Sequence, residues 1–122
     1  AAGIAALTLL RQEGLYQRLE KMGKALFSGL ETLAVNEGVP VTVNRIGSMG
    51  SLFFTDTPVS DFRTASTSDS GRFKRYYRAM REQGIYLAPS PFEACFVSAV
   101  HTEEMIDKTL NAAEKAFRQI LR

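Results

Sequence analysis

The sequence has little of what commonly carries chemistry. Its 122 residues include one cysteine, Cys95, one histidine, His101, and no tryptophan. A lone cysteine closes no internal disulfide, which fits a reducing compartment. Cys95 and His101 stand six residues apart across an expected strand and its end, which is not a zinc spacing. Nor does the sequence offer a third group to orient the histidine as the base of a Cys–His nucleophile system. Walker-type, G-x-G-x-x-G and H-E-x-x-H patterns are all absent. A net charge of +2 is too small to argue for nucleic acid or an anionic membrane as partner. No apolar run approaches the roughly 20 residues of a membrane span, and no signal-peptide pattern is present. These absences are those of a cytoplasmic protein built as one domain around one modest core. The start also lacks an initiator methionine and a Ser, Thr, Asp or Asn cap before the first helical pattern. The expectation is a piece of a longer protein, cut at or inside a helix.

What is present is organised by periodicity. Ile4, Leu7 and Leu10 form an apolar stripe with alanines between them, which predicts a helix from Ala1 to Arg11 packed closely on something. Gln12-Glu13-Gly14 breaks it. Leu15, Leu19, Met22, Leu26, Leu30 and Leu33 then recur at spacings of three and four, predicting a helix from Leu15 to about Val35. Gly38 and Pro40 stand where a helix stop belongs. Two β-branched or aromatic runs follow, Val41–Ile46 and Ser51–Thr55, joined by Gly47-Ser48-Met49-Gly50. Residues 56–70 read as a polar loop, either mobile or folded over a partner surface. Arg72–Glu82 predicts a third helix, with Phe73, Tyr76, Tyr77 and Met80 inward. Its basic residues read as a solvated face, because the aromatics form the core stripe rather than a stacking platform. Beyond Gln83-Gly84 come a short extended segment, Ile85–Leu87, a Pro-Ser-Pro turn, and a strand from Ala94 to Val100. Thr102 caps a last helix whose inner face is Ile106, Leu110, Ala113, Phe117 and Ile120, with Glu103 and Glu104 in its first turn. The order predicts an α+β fold: a small antiparallel sheet with helices on one face.

Three features bear on function. Glu93 is a lone carboxylate between Phe92 and Phe96, and burying it unpaired would cost several kcal/mol. It therefore either points to water from a turn or serves a site. The turn 47–50 is either a plain hairpin connection or a bare backbone that a ligand approaches. Lys21, Lys24, Lys74, Lys108 and Lys115 all fall on solvated helix faces, where nothing would depress a pKa for Schiff-base chemistry. No complete catalytic constellation stands in this sequence, and no metal site.

Four strings carry a resemblance: V-N-R-I-G-S-M (Val43–Met49), L-F-F-T-D (Leu52–Asp56), R-F-K-R-Y-Y (Arg72–Tyr77) and G-I-Y-L-A-P-S-P-F-E-A-C-F-V-S-A-V-H-T (Gly84–Thr102). Their order and spacing resemble the C-terminal domain of the glutamate-1-semialdehyde 2,1-aminomutase family, over essentially the whole chain. The resemblance implies a class-III aminotransferase relative of fold type I, dependent on pyridoxal 5'-phosphate and working as a homodimer. It implies conversion of glutamate-1-semialdehyde to 5-aminolevulinate, the tetrapyrrole precursor. Residues 1–122 would be the single small domain, with 1–13 the helix linking it to a large domain outside this sequence. That large domain would hold the cofactor through its lysine, so this chain alone would bind none and be inactive. Glu93 matches the family's active-site glutamate, standing where related ω-aminotransferases place an arginine for a substrate carboxylate. A negative group there disfavours an α-carboxylate and suits an amine or aldehyde end. Ser48, Met49 and Ser90 would be its substrate-binding neighbours. The chain departs from the family pattern at Gly50-Ser51, where Phe-Gly is usual after the methionine, and at Cys95, where a glycine is usual. The other readings are the small domain of a different class-III ω-aminotransferase and a free-standing α+β interaction or ligand-sensing module.

Overall fold

The structure is a computed structural model, and residues 1–121 are described. Helix α1 spans Ala2–Leu10 and α2 spans Leu15–Asn36. Gly14 starts α2 from a left-handed conformation, φ 79°, and Gly38 follows its end at φ 68°. The hairpin strands are β1, Thr42–Ile46, and β2, Met49–Phe53. A four-residue helix α3, Phe62–Ala65, precedes α4, Ser70–Glu82. Strand β3 is Cys95–Phe96 and α5 is Glu103–Ile120. The sheet runs β1-β2-β3 and is antiparallel throughout. α2 packs against β1 and β2 on one side and α5 on the other, and α5 also packs on α4. The α+β expectation, with helices on one face of a small antiparallel sheet, is met.

The core lies where these three helices meet. Phe117, Met80, Ala113 and Ala116 are wholly buried. The Phe117 ring stacks on Tyr76 with centroids 5.1 Å apart, and Phe54 meets Tyr76 edge-on at 5.4 Å. Such aromatic pairs add about 0.5–1.5 kcal/mol beyond the area they bury. The alanines let α5 approach its neighbours closely while Phe117 fills the middle. Both long helices that begin after residue 69 carry a side-chain cap, expected at Thr102 and found also at Asp69, where α4 starts two residues before Arg72. Asp69 accepts from the Arg72 amide at 2.8 Å, and Thr102 accepts from the Met105 amide at 3.2 Å.

Four expectations change. The stripe of α1 is not packed within the described residues: the helix has no buried residue, and Ile4 is 73% and Leu7 63% exposed. The second strand begins two residues earlier than Ser51, because the connection is a two-residue turn, Gly47-Ser48, rather than four residues. Gly47 takes φ 57° at the first turn position, where such tight hairpins favour glycine. The expected strand 94–100 shrinks to Cys95–Phe96 because its partner β2 starts at Met49. Past that point the Val97 amide reaches only the turn, donating to the Ser48 carbonyl at 2.8 Å, and no ladder is left to extend. Residues 85–87 likewise form no ladder with another strand.

The loop over 56–70 is folded onto the sheet. Val59 and Ala65 bury against Phe53, and Asn44 Nδ2 donates to the Val59 carbonyl at 2.8 Å. Asp61 and Thr64 form a reciprocal capping box that starts α3.

Phe117→Ala should destabilise the chain by about 3–5 kcal/mol, the usual cost of deleting a fully packed aromatic side chain. Urea unfolding followed by circular dichroism should show a lowered midpoint with an unchanged slope.

Candidate functional site

Pairing register decides which residues share the face of the sheet away from α2. Residues directly opposite one another point the same way. Thr42 opposes Phe53, Asn44 opposes Ser51, Ile46 opposes Met49, and Met49 opposes Phe96. One end of this outer face, at Phe53, is covered by the 56–69 loop. At the other end Ile46, Met49 and Phe96 form an apolar row across all three strands, 72%, 37% and 67% exposed. Phe92 and Phe62 add a tilted pair with ring centroids 5.7 Å apart, both exposed. This pair lies toward the loop-covered end, lining a hollow with Asn44, Phe53 and Val59.

Glu93 sits on the turn before β3. Its amide donates to the Ser90 carbonyl at 3.2 Å, and the Phe92 amide donates to Ser90 Oγ at 3.2 Å. Ser90 thus folds the turn on which Glu93 is carried. The Glu93 side chain is exposed, and among the described residues no cation pairs with it. It stands on a turn facing solvent, so the carboxylate carries no burial cost within this chain. Ser90 and Glu93 also line a small cavity of about 50 Å³ with Leu52, Phe73, Tyr76 and Cys95.

Ser48 and Met49 lie by the other end of β3, on the hairpin turn and at the start of β2. Ser48 receives the Val97 amide just beyond the strand, whereas Glu93 precedes it. The four expected site residues therefore fall as two pairs that the structure does not bring together: Ser48 and Met49 at the hairpin, with Met49 on the outer face, and Ser90 and Glu93 on the turn before β3, beside the inward-facing Leu52 and Cys95. Ser48 and Ser90 are half-buried.

The other reactive groups are set for quiet roles. Burial pushes the Cys95 thiol up, a hydrogen bond with the Ala88 backbone works against this, and the Glu93 charge adds to the rise. The thiol is therefore protonated near neutral pH and a poor nucleophile. His101 Nδ1 accepts from the Ser98 amide at 2.8 Å, which orients the ring at the entry to α5. All five lysines are exposed. Lys21 is bonded to Glu103 at 2.8 Å, and that hydrogen bond and charge raise its pKa. Among the described residues no group of His, Cys, Asp and Glu could hold a metal ion, and no helix is long and apolar enough to cross a membrane.

Sequence reasoning missed the exposed row of Ile46, Met49 and Phe96, and it missed Arg45. The signal was in the alternation. In Val43-Asn44-Arg45-Ile46 the phase that puts Val43 inward also puts Arg45 inward and Ile46 out, the reverse of what stability asks.

No protein-family model matches the chain. It is 52% identical over 120 residues to the glutamate-1-semialdehyde 2,1-aminomutase of Desulfosudis oleivorans, a match covering 98% of this chain and 28% of that protein. The chain thus spans between a quarter and a third of the length of the curated relative it matches. An ω-transaminase structure from Sphaerobacter thermophilus aligns with TM-score 0.81 at 22% identity, over 91% of this chain and 25% of that one. A glutamate-1-semialdehyde aminomutase structure from Pseudomonas aeruginosa aligns with TM-score 0.78 at 14% identity, over 89% and 24%. The resemblance carried by the four strings is borne out along the chain, and the fold is that of the matching part of these transaminases and aminomutases.

Two measurements follow from the geometry. Glu93→Gln should leave the urea midpoint unchanged within error, since an exposed, unpaired carboxylate stabilises nothing nearby. Cys95 should react with iodoacetamide at pH 8 more slowly than free cysteine, because the raised pKa and partial burial both lower the available thiolate.

Proposed function

We propose that this chain is the C-terminal small domain of a pyridoxal-phosphate-dependent glutamate-1-semialdehyde 2,1-aminomutase. In this reading residues 1–122 close one side of an active site whose other side is a large domain, and residues 1–13 link the two. The observation that carries it is the half-identical match along almost all of the chain to an enzyme of that name. The bare surfaces support it: the stripe of α1 and the row Ile46–Met49–Phe96 are the places where a second domain would bury apolar area. The full-length protein would work as a cytoplasmic homodimer, making 5-aminolevulinate for tetrapyrrole synthesis.

The residues of this chain do not fit as the cofactor's anchor. An imine-forming lysine needs a lowered pKa in an apolar setting, whereas the lysines here are exposed and that of Lys21 is raised. Anchoring belongs to the large domain in this reading. The part left to this chain is discrimination. Glu93 sets a negative charge at the rim, which disfavours a substrate carboxylate and suits an amine or aldehyde end. Ser90 fixes the turn that carries it, and Ser48 and Met49 would contribute from the hairpin.

The transaminase structures favour a second reading, the small domain of an ω-aminotransferase that takes its amino group from an external donor. Incubating the full-length protein with glutamate-1-semialdehyde alone separates the two. Formation of 5-aminolevulinate with no added donor or acceptor supports the aminomutase; a requirement for an added keto acid supports the aminotransferase. Glu93→Gln in the full-length enzyme should lower kcat/KM by about 10- to 100-fold, the range for losing one charged hydrogen bond. Unchanged kinetics would remove Glu93 from the site.

A further inference from the structure

Arg45 stands on the inner face of β1, a position where the alternation calls for an apolar side chain. It is held there by two partners. Its Nη1 donates to the Gly47 carbonyl at 2.7 Å and pairs with Glu20 Oε1 of α2 at 2.9 Å. Its side chain is 24% exposed, so its contacts are partly shielded from water. The same carbonyl rests on α2 from the other side. A Cβ on Gly23 would lie 2.3 Å from Gly47 O and 3.0 Å from the Ser48 Cα, so α2 carries no side chain where the turn sits. The next backbone group is fixed as well, by the Val97 amide on the Ser48 carbonyl at 2.8 Å. The turn Gly47-Ser48 is thereby tied to β1, to α2 and to the end of β3. A plain hairpin turn needs none of these ties, because its strands already set its register.

We infer that Arg45 and Glu20, with Gly23 beneath them, are positioning residues that hold the Gly47–Met49 turn so that Ser48 and Met49 meet the substrate at a fixed place. This rests on the aminomutase reading and adds residues that touch no substrate themselves. Arg45 acts through the Gly47 carbonyl, and Glu20 acts by orienting the guanidinium. The tightness at Gly23 makes the arrangement intolerant of displacement: a methyl group there would have to push backbone, not a flexible side-chain end.

The test uses the full-length protein with Arg45→Met, Glu20→Gln and Arg45→Lys, the last keeping the charge but not the planar fork. Hydrogen exchange in the peptide covering residues 46–50 should quicken by about tenfold in Arg45→Met and less in Glu20→Gln, with the α5 peptides unchanged. KM for glutamate-1-semialdehyde should rise about five- to tenfold in Arg45→Met, with Arg45→Lys between it and wild type. Combining Arg45→Met with Ser48→Ala should be no worse than the poorer single variant, since both act at one point. Unchanged exchange at 46–50, or effects of Arg45→Met and Ser48→Ala that simply multiply, would overturn the inference. A wild-type protein that does not convert the substrate would refute the aminomutase reading instead, because the exchange arm tests the brace without substrate.

Discussion

The seating of α2 under the hairpin is the constraint on which the rest depends. Two positions with no side chain make it possible. Gly23 lets the helix take the turn's backbone directly, and Gly50 leaves a hole that the Phe27 ring enters, since a Cβ on Gly50 would lie 2.5 Å from that ring. One contact joins helix to turn and the other joins strand to helix. Once α2 is placed, its opposite face takes α5, and Phe117, Tyr76 and Phe54 can close the core around one stacked pair. The sheet alone could not supply that order. It has three strands, one only two residues long, and small sheets need a packed helix to be stable.

Which parts were legible in the sequence follows from how local each signal is. The helices α2, α4 and α5 were readable because their apolar spacing, caps and stop signals all lie within a few residues of the element they define. Thr102 and Gly38 punctuate the chain where the structure does, whereas Asp69, read as part of the loop, caps α4. The third strand was not readable. Ala94–Val100 has strand composition throughout, but strand length is set by the partner, and β2 begins only at Met49. A residue with strand propensity and no ladder stays irregular. The apolar stripe of α1 was readable as a stripe but not as an exposed one, because spacing says which residues share a face and not what covers it.

The site was legible in a narrower sense. Glu93, Ser90, Ser48 and Met49 came from the resemblance, and the structure places them as two pairs, at the hairpin and on the turn before β3, rather than clustering them. The physical cue that first singled out Glu93 was the cost of burying a carboxylate. Here it faces solvent with no cation, so that cost arises only if something else covers it. Burial energetics alone would then assign it no role in this chain. A role for it follows from the resemblance, in which a covering domain would meet the charge.

Arg45 reverses that logic and is the more informative case. An arginine on the inner face of a strand needs partners in place, whatever the chain binds. It finds them in a backbone carbonyl two residues on and a carboxylate one helix away. If stability alone had set the sequence of β1, the inward and outward residues at its end would be exchanged, with Ile46 packed on α2 and Arg45 in water. The observed order places the apolar side chain where this chain offers it no cover and the charge where it must be braced. Both departures concern the same turn, and they agree in what they achieve: the backbone of 47–49 is held still from below while its upper surface stays bare.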